Sequence, residues 1–201
     1  MSRTRPPNEN DPRVRRTRRA LTQALEALMA EKSFAAISVQ DVARRADVNR
    51  ATFYAHFRDK DELVEYALRA SFRERLRAGL PRGTPFTAEN LGRLIRIVCD
   101  FLAEVGGHCP PPRARFEPLM ERQVKAELVE VLMEWMATDH TTRSASAPSL
   151  DLAAKVASWA IYGAAVQWVQ QTPPLSWKRF IQQVLPMILA GLPVNEPGRA
   201  A

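Results

Sequence analysis

Glycine and cysteine are scarce in this chain, at 8 and 2 of 201 residues, and long apolar runs are missing altogether. Each shortage excludes a class of protein. Cys99 and Cys109 cannot build a disulfide framework and read as reduced thiols. No apolar run approaches the ~18 residues that a membrane span needs. The start, MSRTRPPNENDP, has no apolar core and is not a secretory signal, so a cytoplasmic protein is expected. There is no glycine-rich phosphate loop, metal-ligand motif or nucleophile–base pair, so neither an enzyme nor a cofactor is expected. His108 and Cys109 are adjacent, but neighbours in sequence point apart. The other soft donors, His56, Cys99 and His140, are distant, so no metal site is expected either.

What is present is positive charge. The net charge is +7, and residues 1–19 alone hold 7 Arg against 2 acids. A basic start of this kind suits a polyanion partner. Residues 1–12, with three prolines and no apolar periodicity, read as a disordered basic arm.

The rest is helical, with no convincing strand and no internal repeat. Val14, Leu21, Leu25 and Leu28 form a stripe over 13–31, with Arg15, Arg18, Arg19 and Glu26 on the opposite side. Phe34 plugs the connection that follows. Further helices are predicted over 39–46, 50–56, 60–78, 87–105, 118–138, 150–171 and 177–190. Gly79 and Pro81 stop one, and Gly106-Gly107 with Pro110–Pro112 stop another. Glu121, Glu127, Glu130 and Glu134 look like the solvated side of theirs. Pro186 removes a backbone donor and should kink the last helix.

The most informative stretch is Ser38–Lys60, SVQDVARRADVNRATFYAHFRDK. Ser38 with Asp41 three residues on is a capping-box signature, and Asp59 with Glu62 repeats it. Asp47 fills the turn, since Asp tolerates the left-handed conformation better than most residues, and Asn49 caps the next helix. Two short helices joined by a tight turn suit major-groove reading, with the second presenting its first turn to base edges. On that second helix Phe53 and Phe57 face in. Arg50, Ala51, Thr52, Tyr54 and Ala55 face out. Arg50 can pair with guanine or phosphate, and Thr52 with phosphate or a thymine methyl. Tyr54, His56, Lys60 and the Ser38 hydroxyl are expected on phosphates.

ISVQDVARRADVNRATFYAHFRDKDELV resembles the helix-turn-helix of the TetR/AcrR family of bacterial transcriptional regulators. The resemblance covers about residues 13–66. Its specific part is the T-F-Y-x-H-F run at 52–57, followed by Lys60 and Leu63. Asp47 departs from it, standing where the family usually has glycine. The resemblance implies an all-α protein acting as a homodimer on palindromic operators, most often as a repressor, with a C-terminal region that binds a small effector.

The expected organisation follows. A three-helix DNA-binding domain (13–60) joins through a long fourth helix to a helical regulatory and dimerisation domain (61–193), with a flexible tail at 194–201. Ala153, Ala157, Ala160 and Ala164, beside Gly163 and Ala165, let another helix approach closely. By resemblance, the helices at 150–171 and 177–190 form the dimer interface. A pocket, if lined by Phe101, Phe116, Met120, Trp135, Trp159, Tyr162 and Trp168, would take a hydrophobic or aromatic effector. The alternative is a nucleoid-type protein binding nucleic acid without sequence preference and without an effector. The outward Thr52 and Tyr54 favour sequence reading.

Overall fold

A computed structural model of the chain describes residues 11–108, 117–138, 149–171 and 176–192. Phe116, Cys109, His140, residues 1–10 of the expected arm and the expected tail lie outside those residues. Eight α-helices and no strand occur among the described residues. They are α1 (Pro12–Glu31), α2 (Val39–Arg45), α3 (Arg50–His56), α4 (Lys60–Gly79), α5 (Ala88–His108), α6 (Glu117–Thr138), α7 (Leu150–Gln170) and α8 (Trp177–Ala190). A single 3-10 turn, Phe34–Ala36, links α1 to α2.

Most predicted boundaries fall within a residue or two of these. One break is absent: α5 continues through Gly106-Gly107 to His108. A second correction concerns the start of α1. Asp11, expected in the arm, accepts a hydrogen bond from the Arg13 amide at 2.8 Å and caps the helix, with Pro12 in its first turn.

The chain divides into two compact units, one running through Leu68 and the other built mainly from Arg69 onward, so that α4 belongs to both. In the first unit, Leu21, Leu25 and Leu28 of α1 are buried with Phe34, Ile37, Val42, Phe53, Phe57 and Leu63. Arg18, expected on the solvent side of α1, instead places its guanidinium 5.6 Å from the Phe57 ring centre and 5.2 Å from that of Tyr66.

In the second unit, Leu91, Leu94, Ile95 and Val98 of α5 are fully buried, as are Val124 and Leu128 of α6. α7 packs most extensively on α6. Its contact face is small: Ala153, Ala154, Ala157, Ser158, Ile161 and Ala165 are buried. The alanine stripe is therefore divided. Ala153 and Ala157 admit α6 of the same chain, whereas Ala160 is exposed.

Glu127 is a further correction. Read as solvated, it is only 4 % exposed and accepts from Arg73 Nε at 2.5 Å. Arg73 also reaches Glu130 at 3.2 Å, and four residues earlier Arg69 donates to Gln123 at 2.7 Å. The Glu127 hydrogen bond raises the Arg73 pKa above its ordinary value. This polar row fixes the register of α4 against α6, because a one-turn slip would leave a buried carboxylate unpaired.

Arg73→Met alone should destabilise the protein by about 2 kcal/mol, because it leaves the buried Glu127 carboxylate unpaired. Arg73→Met combined with Glu127→Leu should recover most of that loss. Urea unfolding of the three proteins checks this.

Candidate nucleic-acid interface

Local side-chain chemistry sets the bounds of α2 and α3. Ser38 Oγ accepts from the Asp41 amide at 3.1 Å, and the Asp41 carboxylate accepts from the Ser38 amide at 3.0 Å, closing the expected box. The same carboxylate takes the Ser38 hydroxyl (2.8 Å), Lys32 Nζ (2.9 Å) and Arg44 (2.8 Å). Those donors, the Ser38 amide foremost, hold the Asp41 pKa far below the usual carboxylate range. The second expected box is only half made. Asp59 accepts from the Glu62 amide at 2.8 Å, but Glu62 turns to the Arg58 amide at 2.6 Å.

The turn closes with the Val48 amide donating to the Ala43 carbonyl at 2.9 Å. Asp47 adopts φ +54°, the single positive-φ non-glycine position among the described residues. Asn49 Oδ1 then accepts from the Thr52 amide at 2.7 Å and starts α3.

Phe53 is completely buried and Phe57 nearly so, which fixes the rotation of α3. Arg50, Ala51, Tyr54 and Ala55 are exposed, and Thr52 is half-buried. Tyr54 is 49 % exposed, although Tyr usually buries its ring. The Arg50 guanidinium lies 5.8 Å from the Tyr54 ring centre, with an Nη2 donor 3.5 Å from the phenol oxygen. Among the expected contact residues, Arg50, Ala51 and Tyr54 are exposed on the first turn and a half of α3, and Thr52 is half-buried with its hydroxyl donating to Asn49 Oδ1 at 3.0 Å.

The other three expected contacts have different surroundings. Both Ser38 donors are engaged by Asp41. Lys60 Nζ donates to the carbonyls of Phe34 (2.9 Å) and Ile37 (2.8 Å) and sits 4.4 Å from the Phe34 ring centre. It braces the start of α4 against the connection, a role that its position after T-F-Y-x-H-F does not disclose. His56 is half-buried, and its Nδ1 is enclosed without a hydrogen-bond partner. Burial, then the nearby Arg18 charge, lowers its pKa from the ordinary 6.5. His56 is thus neutral at neutral pH, not a cation.

The expected effector residues are scattered. Phe101 is buried against Phe72, Trp135 against Phe86, and Trp168 meets Trp177 edge to face and lies beside Phe180. Trp135 Nε1 donates to the Thr84 carbonyl at 2.9 Å. Met120 and Tyr162 are half-buried, and burial pushes the Tyr162 pKa up to about 12. Trp159 is 62 % exposed. None of these lines the groove of about 360 Å³ between α5 and α8, whose walls include Ala88, Gly92, Trp177, Ile181 and Leu185. Sequence reasoning passed over that groove because its walls, which also include Glu89 and Arg93, carry no motif and come from helices distant in the chain. No group of three or more potential metal ligands occurs among the described residues, and none of the described helices is long and apolar enough to cross a membrane.

The His56 environment gives a signed pH effect. Its folded-state pKa lies below the unfolded value of 6.5, so the unfolded chain binds the proton more readily. The associated stability is complete above pH 6.5 and is lost as pH falls from there toward the folded pKa. Urea midpoints at about pH 7.5 and 5.5 should show a smaller drop for His56→Gln than for the unaltered protein.

Comparison with known proteins agrees with this geometry. Residues 21–67 match the family described as bacterial regulatory proteins, tetR family. An uncharacterized HTH-type transcriptional regulator of Bacillus subtilis (strain 168), YxbF, is 42 % identical over 65 residues. That match takes in 32 % of this chain and only 17 % of the relative, about a sixth of its length. Solved structures extend the likeness to the whole fold. A putative TetR-family regulator from Rhodococcus sp. gives a TM-score of 0.56 at 19 % identity, covering 89 % of this chain and 99 % of that one. Thermus thermophilus FadR, a TetR-family repressor solved with lauroyl-CoA, gives 0.55 at 20 % identity, covering 92 % and 99 %. Residues 21–67 thus carry the DNA-binding segment of the tetR family of bacterial regulatory proteins, and the all-helical fold is that of solved tetR-family structures.

Proposed function

We propose that this regulator is a repressor in the cytoplasm that reads a palindromic operator as a homodimer and is released by a small effector. The observation that carries DNA reading is the open face of α3, where Arg50 and Tyr54 stand exposed over a helix anchored by Phe53 and Phe57. Arg50 supplies a guanine or phosphate donor, the Thr52 methyl and Ala51 supply apolar contact, and Tyr54 donates to phosphate. Ser38, His56 and Lys60 support that face before they touch anything. We assign DNA reading to the unit through Leu68, and effector sensing and dimerisation to the unit from Arg69.

Dimerisation is supported by the outer side of α7. Leu152, Val156 and Trp159 are 53 %, 57 % and 62 % exposed at helical spacing, with Ala160 and Gly163 open beside them. Lys125 Nζ, 3.0 Å from the Trp159 ring centre, braces that indole. An apolar row of this size on a charged protein suits burial against a second copy. The interface therefore uses the side of α7 opposite Ala153 and Ala157. For the effector, the groove beside Trp177 is the better candidate than the six described residues Phe101, Met120, Trp135, Trp159, Tyr162 and Trp168, none of which lines it. A neighbour of the same fold was solved with lauroyl-CoA, which supports an apolar ligand.

Selection of binding sites from random duplexes should enrich an inverted repeat, and Tyr54→Ala or Arg50→Ala should weaken binding to it at least tenfold, about 1.4 kcal/mol. No enrichment would instead indicate binding without sequence preference. Trp159→Asp should shift the protein from dimer to monomer in sedimentation velocity. An unchanged dimer would place the interface elsewhere.

A further inference from the structure

We propose that Asp47 is an electrostatic brake on DNA affinity, a negative charge kept in the helix-turn-helix turn although the fold has no use for it. The proposal rests on the DNA-reading face described above.

Three observations place Asp47 apart. First, its backbone is at φ +54°, where an L side chain is disfavoured and glycine is free of strain. Second, its side chain is exposed and engages no other group, although two arginines are close in sequence. Arg44 is bound to Asp41 at 2.8 Å and Arg45 to Glu31 at 2.7 Å. Third, the other acids of residues 11–68 are all engaged. Asp11, Asp41 and Asp59 cap helices, Glu31 and Glu62 pair with arginines, and Glu26, Asp61 and Glu65 have interactions of their own. Asp47 is therefore a strained and structurally idle acid, three residues ahead of Arg50.

Its position decides what the charge does. Asp47 precedes α3 and is not on its outward face, so it is poorly placed to accept from a cytosine amino group. It stands three residues before Arg50, so a phosphate that Arg50 reaches lies at a distance on the scale of the Debye length, about 10 Å at 0.1 M salt. Repulsion at that range lowers affinity for any duplex without selecting among sequences.

Asp47→Asn removes the charge while keeping a side chain that tolerates the left-handed turn. Asp47→Gly removes both charge and strain. Fluorescence anisotropy with a selected site and with a random-sequence duplex should show both variants binding about three- to tenfold tighter at ~50 mM salt, with the gain fading by ~0.3 M. The gain should be similar on the two duplexes. A gain in Asp47→Gly alone would mean that backbone strain, not charge, limits binding, and would overturn the proposal. Weaker binding of Asp47→Asn to the selected site would make Asp47 a base reader and would also overturn it. Tyr54→Ala separates the two readings. If it binds as the unaltered protein does, the DNA face is not α3 and the brake falls with it. If it binds weakly while Asp47→Asn is unchanged, only the brake fails.

Discussion

The burial of Phe53 and Phe57 is the constraint from which the rest of the first unit follows. α3 has seven residues, far fewer than a helix needs to persist in water unaided. Two rings four residues apart fasten one side of it to the core, their centres 6.0 Å apart. Truncating a ring of this kind costs about 3–5 kcal/mol, a large part of a small domain's stability. With those rings inward, Arg50, Ala51 and Tyr54 have to point outward. The neighbouring features serve the same fastening: Arg18 lies over Phe57 and Tyr66, and Lys60 ties α4 to the carbonyls around Phe34.

α4 carries two kinds of attachment along its length. Near its start, Lys60 is held by carbonyls of the first unit. Further on, Arg69 and Arg73 meet Gln123, Glu127 and Glu130 within the second. The second attachment is polar and buried, which contributes little net stability but makes register specific. The exposed row on α7 differs in kind. It is apolar and largely exposed among the described residues, with Lys125 of α6 braced against the Trp159 ring.

What was legible in the sequence was whatever depends on neighbours in the chain. Ser38, Asp41 and Asn49 act on amides three residues away, so the bounds of α2 and α3 could be read directly. The side of α3 that faces in follows from a four-residue spacing of two aromatics. The roles of Lys60, His56 and Glu127 were not legible, because each depends on a partner brought near only by folding: the Phe34 and Ile37 carbonyls, Arg18, and Arg73. The alanine stripe was ambiguous for a different reason. A small side chain permits close approach but does not say whether the approaching helix belongs to the same chain or to another. Aromatics at helical spacing were no guide to a pocket, because three of them fill gaps against other rings.

The central claim is that the outward side of α3 is the surface that meets DNA. Backbone amide chemical shifts, followed while a selected duplex is added to the full-length protein, test it most directly. The largest changes are expected over residues 49–56, in the turn at Asp47 and at Ser38–Val39. Largest changes confined to α5–α8, with residues 49–56 undisturbed, would contradict it.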